Sequence, residues 1–113
     1  MYRHIQGRYN KWTAEENKEE WSNKKAIVYV IECRNMRPPE ELFYKIGITT
    51  TSVRERFAFG MPYKWRCIQE TTCSLYDAIT LEEELHNRAE EWRYVPAIKF
   101  SGWTETFSQP VFY

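Results

Sequence analysis

The sequence predicts an α+β fold: a small antiparallel three-stranded sheet flanked by helices, with a short N-terminal helix ahead of it. Three observations carry that expectation. Two β-like runs, Ala26 to Cys33 and Leu42 to Ile48, are separated by a loop containing Pro38-Pro39, and two successive prolines cannot continue a ladder. A third run, Trp65 to Cys73, follows a basic segment. The best stripe of apolar residues at helical spacing, Ala78, Leu81, Leu85, Ala89 and Trp92, comes after it.

Each element has its own signature. Residues 1–12 mix basic and aromatic side chains without a period. They read either as an arm along a nucleic-acid strand or as a terminus folded back through Ile5, Tyr9 and Trp12. The absence of a net basic excess favours the second. Thr13 with Glu16 forms a capping box, predicting a short helix to about Ser22, solvated apart from Trp21. In the first strand Ile27, Tyr29 and Ile31 share one face and Val28 and Val30 the other, as in a central strand covered on both sides. In the second strand Leu42, Tyr44, Ile46 and Ile48 alternate with Phe43, Lys45 and Gly47. The two strands are expected to pair antiparallel, with Tyr29 and Lys45 projecting from one face.

Ser52 and Glu55 make a second capping box, opening a helix that stops near Gly60-Met61-Pro62. Val53 and Phe57 face the sheet there, with Arg54 and Arg56 on opposite edges of that stripe. In the third strand Arg66, Ile68 and Glu70 alternate with Cys67 and Gln69. Ser74 caps the longest helix, Leu75 to about Trp92. Of its three consecutive glutamates, Glu82 lies about fifty degrees from the centre of the apolar stripe and is the one aimed at the sheet. Residues 94–107 hold short β-like pieces. The chain thus divides into an arm with a short helix (1–25), a core (26–107) and a tail (108–113).

Composition bounds the partners. A chain of 113 residues makes one domain. Sixteen basic and sixteen acidic side chains cancel, so a phosphate-binding surface must come from local segregation of charge. The three cysteines are odd in number and form no C-x-x-C, which argues against a disulfide framework and for a reducing, intracellular setting. The expected location is intracellular, in the cytoplasm. No apolar run approaches membrane-spanning length, and the N-terminus lacks a signal-peptide core.

A hydrophobic strand ending at Gly47 and handing over to a basic helix is a common way to hold a phosphate against a sheet. The order strand, strand, basic helix, strand, Glu-bearing helix resembles the GIY-YIG nuclease superfamily over roughly residues 26–107. Ile27-Val28-Tyr29 stands at its first motif and Lys45-Ile46-Gly47 at its second. Arg56 stands where the family has a helical Arg. Glu82, in Ala78-x-x-Leu81-Glu82-x-x-Leu85-His86, looks like the metal-binding Glu. Lys45 to Thr49 and the closing Gly102-x-Thr104-Glu105-x-Phe107 are similar to a compact branch found in phages and bacteria. Two positions depart from the pattern: Ile27 replaces the first glycine of the family name, and Lys45 replaces the second motif's tyrosine.

The resemblance implies a GIY-YIG-like fold and a Mg²⁺-dependent (or Mn²⁺-dependent) endonuclease or nickase acting on DNA. Glu82 is then the metal ligand, and Arg56 meets the non-bridging phosphate oxygens. Tyr29 orients or deprotonates the attacking water, its pKa lowered by Lys45, and His86 relays protons or binds phosphate. Tyr44, Arg54, Lys64 and Arg66 are the expected nucleic-acid-binding positions. A compact core of this kind has little surface for reading sequence, so the expectation is weak sequence preference, or targeting by a protein partner or by a homo-oligomer.

The same residues have plainer readings. Tyr29 can be a core aromatic, Lys45 a snorkelling side chain, Arg56 and Glu82 a structural ion pair, and His86 a surface residue. Zinc is disfavoured, because Cys67, Cys73 and His86 lack finger spacing and Glu82 with His86 offers only two ligands. Two other functions compete: a catalytically inactive module binding nucleic acid or a protein, such as a phage regulator or anti-defence factor, and an enzyme acting on a small phosphate ester.

Overall fold

The computed structural model of the chain describes residues 10–111. Residues 1–9 and 112–113 lie outside them, and with them Ile5, Tyr9 and the aromatic end of the tail. Two short helices come first, α1 (Lys11–Glu16) and α2 (Lys18–Ser22). The N-cap is Asn10 rather than Thr13: Asn10 accepts from the Thr13 amide at 3.0 Å, and the Thr13 hydroxyl accepts from the Asn10 amide at 3.2 Å. Asn is as good an N-cap as Thr, so Thr13 takes the third helical position. A break at Asn17 splits the expected single helix in two. Trp12 is exposed and does not fold back, whereas Trp21 packs on the core.

The sheet corrects the three-stranded expectation. Strand β1 (Lys25–Asn35) is central, with β2 (Glu41–Thr49) and β3 (Lys64–Ser74) antiparallel on either side. A fourth strand, β4 (Thr106–Phe107), pairs antiparallel with the outer edge of β2, and the order is β3-β1-β2-β4. A two-residue strand has no alternation to display, so period-2 patterning cannot reveal it. Helices do not flank the sheet evenly along the chain either. The longest, α4 (Leu75–Ala89), and both 3₁₀ turns, Glu90–Trp92 and Trp103–Glu105, follow β3.

Two apolar layers cover the faces of β1, as its sequence predicts. On one, Val28, Val30 and Ile46 meet Leu75, Ile79 and Leu85 of α4, with Ala14 of α1. On the other, Tyr29, Ile31, Cys33 and Phe43 meet Val53, Phe57, Tyr63 and Phe100. The basic helix α3 (Val53–Arg56) is capped by Ser52 as expected, but it ends after four residues with Phe57 as its C-cap. The expected alternation in β3 also fails. A register shift opposite Val30/Ile31 makes Ile68 an extra residue, so Cys67 and Glu70 fall on the side of Ile31 and Tyr29.

Candidate active site

The hairpin positions two of the side chains. Tyr29 lies opposite Gly47 in the β1–β2 register, two residues beyond Lys45 on the same face. A Cβ at position 47 would overlap the Tyr29 hydroxyl and come within 3.1 Å of Lys45 Nζ. The glycine of Lys45-Ile46-Gly47 therefore makes room for a phenol and an ammonium to meet. Lys45 Nζ lies 5.6 Å from the Tyr29 ring centroid, and Phe57 holds that ring edge-on at 5.5 Å.

Arg56 reaches the same place from α3. Its Nη2 lies 3.5 Å from the Ser101 carbonyl oxygen. Beside it, Gly102 has a left-handed backbone with φ of 89°. A Cβ there would fall 2.7 Å from Lys45 Cε and 3.4 Å from Arg56 Nη2. Gly102 thus lets the chain close down over both cations.

Helix α4 supplies Glu82 and His86 from the opposite layer. Both are buried, His86 completely, with its ring 5.3 Å from that of Phe107. The wheel argument correctly turned Glu82 inward but left His86 as a surface candidate. The apolar stripe is wider than read, since Ile79 is buried too, and it carries position 86 inward.

Glu105 joins the two halves, and it was not assigned a role from the sequence. Its Oε1 lies 3.1 Å from Lys45 Nζ, and its Oε2 lies 3.8 Å from His86 Nε2. His86 Nε2 is in turn 3.6 Å from Glu82 Oε2. The available signal was the closing motif, in which Glu105 sits between Gly102 and Phe107. Side chains from opposite faces of a sheet can meet only around an edge. Strand β4 pairs with β2 only at Tyr44 and Lys45, and beyond that point no strand among the described residues covers β2. The hollow lies at this edge.

Electrostatics assigns the protons. Burial raises the Tyr29 pKa, and Lys45 and Arg56 beside it do not offset that. This reverses the expectation that Lys45 would make the phenol acidic. Burial also works against the Lys45 ammonium, but the negative charge around it, Glu105 and Glu82 included, outweighs burial and holds its pKa above the ordinary lysine value. At neutral pH Tyr29 is a neutral donor and Lys45 is a cation.

The expected nucleic-acid positions do not gather here. Arg54 is exposed on α3. Arg66 pairs with Glu32 across β1 and β3, and Tyr44 lies opposite Glu32 in β2. With Lys64 they share the other face of the sheet, away from Tyr29 and Lys45. There Glu32 accepts from Arg34 Nε and Arg66 Nε, each at 3.0 Å.

The chain is thus an α+β domain that gathers the buried Lys45, Glu82 and His86 with the partly buried Glu105 at one sheet edge. Residues 26–111 match the T5orf172 domain, and the chain belongs to that family, a phage-associated domain related to nuclease-like folds of the GIY-YIG and HNH kinds. No curated protein and no solved structure matches it. No helix among the described residues is long and apolar enough to cross a membrane.

Proposed function

We propose that this chain is a GIY-YIG-type endonuclease or nickase that hydrolyses DNA phosphodiester bonds with Mg²⁺ or Mn²⁺. The reading rests on the convergence of Tyr29, Lys45, Arg56 and Glu82, each from a different element, on one hollow.

The residues fit a divalent cation. Glu82, His86 and Glu105 each offer a donor atom within 4.8 Å of the others, and carboxylate oxygens are the ligands such ions prefer. Glu82 is the assigned ligand. When bound, the ion supplies charge neutralisation at the phosphate and a more acidic water.

The rest is done by side chains. The Arg56 guanidinium donates to the non-bridging oxygens, where charge grows in the transition state. The Lys45 ammonium, fixed by Glu105, adds a second positive charge. Tyr29 keeps its proton and orients the attacking water through its hydroxyl rather than taking the water's proton. Without a dication, Lys45 and Arg56 are matched by Glu82 and Glu105, and a phosphodiester meets no net positive charge. That balance supports the reading of metal dependence.

The test is nicking of supercoiled plasmid with Mg²⁺, comparing wild type with Glu82→Gln. The expected loss is several hundredfold, as for removal of a positioned anion-stabilising group. Equal nicking by the two proteins defeats the assignment. A second reading, a non-catalytic nucleic-acid module, draws on Arg34, Lys64 and Arg66 outnumbering Glu32 on the opposite face. It prevails if neither protein cuts while wild type binds duplex DNA with a clear salt slope.

A further inference from the structure

We infer that Glu82, His86 and Glu105 form a three-donor metal site that selects first-row transition dications, Mn²⁺ among them, over Mg²⁺. The inference deepens the endonuclease reading and rests on it for the ion's use, though not for its binding.

Geometry carries the argument. Glu82 Oε2 and Glu105 Oε2 both face His86 Nε2, at 3.6 Å and 3.8 Å. Adjacent donors around a six-coordinate ion with bonds of about 2.1 Å lie about 3.0 Å apart, so each carboxylate need close on the imidazole by under ~1 Å, and the two carboxylates lie within 4.8 Å of each other. Glu105 divides its two oxygens. Oε1 is held by Lys45 Nζ at 3.1 Å, which leaves Oε2 facing the imidazole and Glu82. An ion can take Oε2 without breaking the pair with Lys45. Glu105 is about a quarter exposed (24%), against 0% for His86, so the ion enters from the Glu105 side.

Donor type sets the choice of ion. Two carboxylates alone suit Mg²⁺, which keeps most of its water. An imidazole nitrogen among them favours ions of the Mn²⁺-to-Zn²⁺ series, which accept nitrogen donors more readily. Lys45 contributes by fixing the orientation of the Glu105 carboxylate, as a neighbouring hydrogen bond orients a metal ligand.

The experiment is a Mn²⁺ titration of the full chain followed by the free-ion EPR signal, then back-titration with Mg²⁺. One Mn²⁺ should bind per chain, and half-release should need at least a tenfold molar excess of Mg²⁺ over Mn²⁺. Glu105→Gln, at a partly exposed position, should weaken Mn²⁺ binding at least tenfold with an unchanged circular-dichroism spectrum. His86→Gln, where it folds, should shrink the Mn²⁺/Mg²⁺ discrimination below threefold. Displacement at parity, or Mn²⁺ affinity unchanged in Glu105→Gln, overturns the inference. Wild-type nicking together with an unaltered Glu105→Gln affinity removes the three-donor site and leaves the endonuclease standing. Mn²⁺ binding that Glu105→Gln abolishes, in a protein that never nicks, does the reverse.

Discussion

Tyr29 illustrates how burial decides a residue's chemistry. Only 1% of its surface is accessible, and its pKa rises although two cations stand beside it. A residue so placed can be useful only through what its hydroxyl donates or accepts. Tyr29→Phe keeps the ring and its edge-on packing against Phe57. Stability should therefore change by no more than about 1 kcal/mol in urea denaturation, while nicking falls roughly a hundredfold or more, the scale of a lost transition-state hydrogen bond. Nicking at the wild-type rate would reduce Tyr29 to a core aromatic. Among the thiols, Cys33 is fully buried and pushed up to about 12, chiefly by desolvation, and Cys67 is exposed. A thiol reagent at pH 8 should therefore label Cys67 first and reach Cys33 only on unfolding. Early labelling of Cys33 would mean that the layer around Phe43 opens readily.

Between residues and fold, short irregular elements do the positioning. Gly102 and Gly60 both have left-handed backbones, with φ of 89° and 74°, but a Cβ at Gly60 meets nothing within 4 Å. Gly60→Ala should cost only backbone strain, roughly 1–2 kcal/mol, and leave nicking intact. Gly102→Ala should cost more, because its methyl displaces the buried Lys45 head, and nicking should fall with it. Equal costs measured by urea denaturation, with equal activity, would show that the loop does not hold the ammonium. These elements also mark the limit of sequence reading. Alternation placed Tyr29 and Lys45 on one face, and the helical wheel turned Glu82 inward, because both periods persist over many residues. Strand β4, the bulge at Ile68 and the turn holding Glu105 are too short to show a period. Only tertiary contacts fix them. Thr13 was misread as a cap because Asn10, three residues earlier, starts the helix first and leaves Thr13 inside it at the third position.

At the scale of the whole molecule, two buried carboxylates tie distant segments to the sheet. Glu41, at the start of β2, accepts from the hydroxyls of Tyr63 and Tyr94 and from the Ala97 amide, which docks the connection from α4 to β4. Glu32 ties β1 to β3 through Arg66, with Arg34 of β1 itself as a second donor. Burial pushes the Glu41 pKa up, but the bonds from Tyr94, Ala97 and Tyr63 outweigh it and leave it below the ordinary 4.5. The Glu32 pKa is also lowered, first by hydrogen bonds from Arg66 and Arg34. For a carboxyl with a depressed folded pKa, the stabilisation is fully present above the unfolded value. It is lost as pH falls through the folded one. Stability measured by chemical denaturation should therefore hold steady above about pH 5 and decline below the unfolded value. Glu41→Gln should be less stable at neutral pH yet show a shallower acid decline, since the amide has no proton to gain. Glu32→Gln should do the same through the Arg pairs, and the two effects should nearly add, because Glu32 and Glu41 share no hydrogen-bond partner. An acid decline as steep in the double variant as in wild type would place the controlling carboxyls elsewhere, with Glu82 and Glu105 at the sheet edge next to be replaced.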